Sequence, residues 1–292
     1  MVQCKCRNNI HNILNLNTIT RCKPLLGTFV EILITGDCDR EILLKYSECA
    51  YEIIQDIHNK MSFHSRESEL SRVNQSAFKG PVKISKELSD VLKRGTRYSE
   101  LSDGLFDMTV GYHLVQKGKL PDHGIDCSAE ATWQDIEIEN NQVHYRKPLL
   151  IDLGGIAKGY AVDLGFERIA REELETNKIS KIVVNAGGDL KSWPWKGSEV
   201  AIRIPKEPFT NTITVKMNNS AVATSGPYFG GSIVSDKEII ANAPSVSVFC
   251  ENCIDADALT KIYSIKPEQD ISGIDHARLN IDENGETCWS VL

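Results

Sequence analysis

The chain has 292 residues and a formal net charge of −7, enough for one large domain or two ordinary ones with a sizeable core. Hydrophobic residues make up 41% and charged ones 25%, a globular balance, and the negative charge argues against holding nucleic acid or an anionic membrane by bulk attraction. An anionic ligand would need a local site or a metal. The nine cysteines are scattered, with only Cys4-x-Cys6 and Cys250-x-x-Cys253 close together. With no second Cys-x-x-Cys and no nearby His pair, they read as reduced, mostly buried thiols rather than zinc ligands.

The first twenty residues are polar, with Asn at 8, 9, 12, 15 and 17. They hold no apolar run of the roughly 7–15 residues that a signal peptide needs. No stretch reaches the ~18 apolar residues of a membrane span. The expectation is a cytoplasmic protein without membrane insertion, with residues 1–23 as a polar N-terminal extension and 24–292 as a single domain. Leu25 to Ile34 reads as one β-strand, β-branched and aromatic after a glycine. Ile42, Tyr46, Ala50, Ile53 and Ile57 recur at helical spacing, which predicts a helix over Asp39 to about Lys60. Ser68-Glu69-Leu70-Ser71 has the form of a capped helix start. Another helix spans Ile84 to Ser102, and two short strands, Ile136 to Ile138 and Val143 to Tyr145, flank Asn140-Asn141.

The chain is organised around Leu149 to Asp163. It begins apolar, as a buried strand would, turns through Gly154 and Gly155, and continues as a helix with Ala157, Ala161, Leu164, Gly165 and Ile169 on one face. Asp152 then sits at a strand end. The two glycines permit close approach to the backbone, and the helix start offers free N–H groups to an anion. An ordinary strand–turn–helix joint gives the same pattern. The glycine spacing fits neither a Walker A loop nor a Rossmann fingerprint. Downstream, Ile182 to Asp189 forms a strand and a tight glycine turn, and strands follow at 199–204, 212–217, 220–224 and Ser245 to Phe249. A helix begins at Asp255, and Arg278 to Val291 folds as a hairpin about Asn284-Gly285.

Six blocks in this order resemble the ApbE family, the FAD:protein FMN transferases. They are Leu26-Gly-Thr28, Met61-Ser-Phe-His-Ser-Arg-Glu-Ser-Glu-Leu-Ser-Arg-Val-Asn74, Gly104-Leu-Phe-Asp-Met-Thr-Val-Gly111, Asp152-Leu-Gly-Gly-Ile-Ala-Lys-Gly-Tyr-Ala-Val-Asp163, Val184-Asn-Ala-Gly-Gly-Asp189 and Ala223-Thr-Ser-Gly226. Ala256-Asp-Ala-Leu-Thr-Lys261 adds a further likeness. The chain also departs from the pattern. Leu26 stands for Met, His64 for Tyr and Pro227-Tyr228 for Asp-Tyr, and Lys261 stands where the usual Thr ligand falls. The family's His-x-x-Asp-Pro-x-Thr-Gly block is missing, its nearest equivalent being Ser232-Ile-Val-Ser-Asp236.

The resemblance implies an α+β fold of ApbE-like, T-fold-related antiparallel sheets, packed by the helices at 39–60, 85–102 and 156–175. It implies Mg²⁺-dependent cleavage of FAD, release of AMP, and attachment of FMN through a phosphoester to a Thr or Ser of a target flavoprotein. FAD is then expected against Leu26, His64, Leu105, Phe106, Asp107, Asp152, Lys158 and Thr224. Mg²⁺ is expected on Asp257, Thr260 and a carbonyl near Gly155. Asp107 as a plain turn residue, Lys158 as a solvated charge and Asp257 as a helix-end charge are the ordinary alternatives. The acceptor hydroxyl needs a base. Of seven histidines only His64 lies in a matched block, so Asp257 and His64 are the candidates for the reaction itself. The missing His block keeps two other functions open: an FAD-binding protein without transfer activity, and an Mg²⁺-dependent FAD pyrophosphatase.

Overall fold

The computed structural model describes residues 16–176, 178–205, 211–226, 233–235, 238–240, 245–282 and 284–291. Its elements are β1 (Asn17–Leu25), β2 (Thr28–Gly36), α1 (Arg40–Met61), α2 (Glu69–Ser76), β3 (Val82–Lys83), α3 (Lys86–Leu101), α4 (Gly111–Gln116), β4 (Ile136–Glu139), β5 (Gln142–Tyr145), α5 (Ala157–Thr176), β6 (Ile179–Ala186) and β7 (Asp189–Trp193). They continue with β8 (Glu199–Arg203), β9 (Thr212–Lys216), β10 (Ala221–Ser225), β11 (Ile233–Ser235), β12 (Glu238–Ile240), β13 (Ser245–Cys250), α6 (Cys253–Ile265), β14 (His276–Ile281) and β15 (Thr287–Val291). Eight strands form one sheet in the order β1-β2-β6-β7-β10-β13-β14-β15, every neighbouring pair antiparallel. The fold is α+β, as the sequence implied.

Alternation along the strands decides what each face covers. In β2, Val30, Ile32 and Ile34 are fully buried and point to the helices, while Phe29 on the other face is 68% exposed. Helices α1, α5 and α6 pack beside one another over the helical face. The opposite face of β10, β13 and β14 carries a smaller core of Val222, Phe249, Ala277 and Leu279, covered by Ile202 and Met217 from the β8–β9 hairpin region.

Two expectations change at the N-terminal end. The strand read as continuous from Leu25 is a hairpin: Leu26 (φ 56) and Gly27 (φ 70) both adopt left-handed backbone, the geometry of a two-residue primed turn between right-twisted strands. The polar segment before it is partly structure, because Asn17–Leu25 pairs residue by residue with Thr28–Gly36. An extension ending at 23 is therefore too long, and the first strand starts at Asn17. Polarity misled because β1 is an edge strand burying only Ile19, and edge strands tolerate polar residues. Cys4 and Cys6 lie outside the described residues.

Leu149 to Ile151 is buried but joins no sheet. Its backbone is satisfied by a side chain instead. Ile151 donates its N–H to Asn74 Oδ1 at 2.9 Å, and Asn74 Nδ2 donates to the Ile151 carbonyl at 2.9 Å. Asp152 N–H continues the tie to the Met108 carbonyl at 2.8 Å. A carboxamide thus takes the part of a neighbouring strand, which fulfils the requirement that buried backbone groups be paired.

Candidate active site

A cleft of about 860 Å³ opens between the β1–β2 turn, the segment after α1, the 105–110 loop, the start of α5 and the end of β10. Its size suits a cofactor-sized ligand. Leu26, Leu105 and Phe106 give it apolar wall, and His64, Asp107, Asp152 and Thr224 give it polar groups. Gly155 and Lys158 line it as well. The residues expected against a flavin nucleotide, from five separate stretches of sequence, therefore face one space.

Each acidic group in the wall is held differently. Asp107 Oδ1 accepts from the Thr109 N–H and hydroxyl at 2.8 Å each, and Oδ2 accepts from the Trp133 N–H at 3.3 Å. It is a turn residue bonding its own loop, as well as a lining one. Burial raises its pKa, and those donors oppose the rise. Asp152 Oδ2 accepts from the Gly154 N–H at 3.1 Å. Burial raises its pKa too, against this N–H and the field of His64. A carboxyl whose folded pKa lies above its unfolded value contributes stability at low pH that is lost as pH rises through the folded pKa. Asp152→Asn removes that loss while keeping an acceptor for Gly154. Its stability relative to the wild type should rise with pH from about 3.8 and then level off, as thermal melts across the acid range would record. A constant difference would contradict this account of Asp152.

The inner end of the cleft is built on charge. Lys158 Nζ pairs closely with Asp189 and lies 3.8 Å from Asp257 Oδ1. Lys261 Nζ lies 2.8 Å from Asp257 Oδ1. Both carboxylates are buried, whereas the two lysines retain partial exposure and line the cleft. Burial would disfavour the charged Asp257, but Lys158 and Lys261 outweigh it and hold its pKa below the usual value. Burial and then the neighbouring Asp257 push Asp189 upward. Burial also opposes charge on Lys158, yet Asp189 and Asp257 prevail and raise its pKa.

Asp257 and Thr260 need correction. Helix α6 begins at Cys253, so Asp257 stands in its second turn, fully buried, and is no helix-end charge. Its Oδ2 accepts the Gly159 N–H at 3.1 Å, so one N–H of the α5 start, expected to face a ligand, serves this carboxylate. Thr260 is also fully buried. It donates back to the Asp257 carbonyl at 2.7 Å. Neither residue lines the cleft. They form its underlayer, and Lys261 lies between them and the opening. Asp255 is equally engaged, accepting from the Tyr98 hydroxyl, from Arg94 at 3.2 Å and from Asn252 at 3.2 Å. Glu69 ties Ser85 through both carboxylate oxygens, and Arg72 bonds the Lys83 carbonyl, which are scaffold roles.

Asp189 and Lys261 are the functional residues that the sequence reading left without roles. A charge directly after the Gly187-Gly188 turn, at the start of a strand in the sheet interior, was the available signal for Asp189. Cys250 and Cys253 are buried free thiols whose pKa values burial raises. Of the Ser232-to-Asp236 block, Ile233–Ser235 form β11, and its two end residues lie outside the described residues.

A sequence model of the ApbE family matches residues 26–280. The FAD:protein FMN transferase of Vibrio cholerae serotype O1 is 28% identical over 248 residues, 74% of this chain and 72% of that one. The Escherichia coli K12 protein of the same name is 28% identical over 282 residues, 84% and 77% of the two chains. The crystal structure of the ApbE protein of Thermotoga maritima superposes with a TM-score of 0.72 at 25% identity, covering 94% of this chain and 97% of the other.

Proposed function

Because the chain belongs to the ApbE family, we infer that it is an FAD:protein FMN transferase, like its named relatives. The observation that carries the reading to this site is a partly apolar cleft ending in two lysines, Lys158 and Lys261, anchored on buried Asp189 and Asp257. A flavin ring needs apolar wall, and a pyrophosphate needs fixed positive charge. Phosphoryl transfer asks for positioning and charge neutralisation more than covalent help. The acceptor is a Thr or Ser hydroxyl of a target flavoprotein. Its oxygen bonds to the phosphorus of the FMN half. The bond from that phosphorus to the bridging oxygen breaks, and AMP leaves with the electron pair.

The hydroxyl proton needs an acceptor. We assign it to His64, which is exposed and lines the cleft together with Asp152. Asp107 and Asp152 present carboxylate oxygens for the sugar hydroxyls of the nucleotide. Asp152→Ala should weaken FAD binding by at least ~1.5 kcal/mol, the scale of a charge-assisted hydrogen bond. Unchanged affinity by calorimetry would remove Asp152 from the site.

The Mg²⁺ expected on Asp257, Thr260 and Gly155 does not fit these residues as they stand. Both Asp257 carboxylate oxygens already have donors, and Thr260 is turned to its own helix. The chemistry above uses this chain's side chains alone. The test of the function is incubation with FAD and an acceptor flavoprotein bearing a free Thr or Ser hydroxyl. AMP should appear in step with FAD loss, and intact FAD that binds without breakdown would support a carrier instead.

A further inference from the structure

We propose that the Lys261 ammonium takes the place of a divalent cation in this chain, so that FAD is bound and cleaved without Mg²⁺. The inference rests on the flavin-transfer reading of the cleft. Lys261 Nζ is surrounded by oxygens: Asp257 Oδ1 at 2.8 Å, Ser225 Oγ at 2.9 Å, Thr260 Oγ1 at 2.9 Å and the Asp257 carbonyl at 3.3 Å. A carboxylate, two hydroxyls and a carbonyl are the hard oxygen donors that Mg²⁺ would use. Here an ammonium with three N–H donors uses them.

The helix sets this up. Residues 257 and 261 are four apart in α6 and share a face. The lysine therefore folds back over its own carboxylate instead of reaching out. Room for its stem comes from Gly155, where a Cβ would stand 3.2 Å from Lys261 Cγ and 3.7 Å from Cε. The second glycine of the Gly154-Gly155 turn thus makes space for the lysine, and no metal contact is needed to explain it.

Charge decides against both cations together. Asp257 and Asp189 carry two negative charges, and Lys158 and Lys261 carry two positive ones. The cluster is neutral. A divalent ion added on Asp257 would leave the cluster with a net charge of two positive, beside a carboxylate that Lys158 and Lys261 already neutralise, which is unfavourable. Both Asp257 oxygens already accept, Oδ1 from Lys261 and Oδ2 from the Gly159 N–H. A lysine on this floor faces the cleft as a point charge suited to a phosphate oxygen. It forms no covalent bond and neutralises the charge that AMP carries away.

The test compares the wild type with Lys261→Thr and Lys261→Met. Calorimetry of FAD binding in EDTA and in millimolar MgCl₂ should give the same affinity for the wild type. Lys261→Thr should bind FAD at least about tenfold more weakly in EDTA, a change near 1.4 kcal/mol, and regain affinity with Mg²⁺. Lys261→Met fills the same space without charge and should lose affinity in both buffers. A wild type whose FAD affinity or AMP release depends on Mg²⁺ overturns the proposal. MgCl₂ titrated into the protein without FAD gives an independent readout. An Mg²⁺ site in Lys261→Thr but not in the wild type supports the proposal, and a wild-type site that Asp257→Asn removes overturns it. FAD failing to bind in either buffer would contradict the flavin reading, and the MgCl₂ titration would still decide the role of Lys261.

Discussion

Asp257→Ala should lower folding stability by about 3–5 kcal/mol, the loss expected when one member of a buried ionic cluster is removed. The side chain is fully buried between Lys261, Lys158 and the Gly159 N–H. Its removal leaves two ammonium groups to share Asp189 and orphans a buried N–H. Asp257→Asn should recover only part of the loss. Both carboxylate oxygens accept, whereas an amide offers one acceptor and one donor. Its NH₂ would confront either an ammonium or a peptide N–H. Chemical denaturation followed by circular dichroism would measure this, with the midpoint shifted and the denaturant slope unchanged. A loss below about 1 kcal/mol, within the range of an exposed salt bridge, would mean that the cluster is not what joins α5 to α6. The same experiment bears on function, because a carboxylate that served only to hold a metal would leave the metal-free fold nearly unchanged when neutralised.

Gly159→Ala should be the most damaging single methyl addition in the chain's central stretch, at about 3 kcal/mol, the upper end for overpacking. A Cβ at this position would lie 2.4 Å from the Cys253 carbonyl oxygen, 2.7 Å from its carbon and 2.8 Å from Ile254 Cα. These are backbone atoms of α6 and cannot rotate away. The helices would have to separate, and Gly159 N–H would leave Asp257 with them. Alanine's better helix propensity returns at most ~1 kcal/mol, so the clash prevails. Gly80→Ala is the control, since a Cβ there meets nothing within 4 Å. Thermal melts of the two variants should differ widely. Equal melting temperatures would show that α5 and α6 can move apart at little cost.

Much of the fold was legible because local signals and the tertiary structure agree. Helix α1 forms where the spacing predicted it and buries Ala50 and Ile57, but Leu43 and Ile54 take the core places expected of Ile42 and Ile53, which with Tyr46 are half-buried. Asn140 (φ 49) and Asn141 (φ 55) take the left-handed backbone of a two-residue hairpin turn. Ser68 and Ser85 cap α2 and α3 by accepting the N–H three residues on. The illegible parts depend on distant partners. Nothing near Ile151 says that Asn74, 77 residues away, will stand in for a strand. Nothing near Cys253 says that its N–H and that of Ile254 will be capped by Asp163 from α5, at 2.9 Å each, with Lys191 neutralising the same carboxylate at 2.8 Å. The inner site follows the same pattern. Leu105, Phe106, Asp107 and Asp152 could be placed by motif because they lie on the cleft wall. The part played by Lys261 could not be, since a lysine at that position reads as a lost ligand until its ammonium is located among four oxygens.

The proposed reaction is transfer of FMN to a protein hydroxyl. It is tested most directly by mixing the protein with FAD and an acceptor flavoprotein bearing an unmodified Thr or Ser. The denatured acceptor is then examined for flavin fluorescence and intact mass, and the solution for AMP. One FMN phosphoester per acceptor hydroxyl and an equal amount of AMP are expected. Free FMN with AMP and an unmodified acceptor would make the protein an FAD pyrophosphatase, and bound but uncleaved FAD would make it a carrier. Either result would contradict transfer.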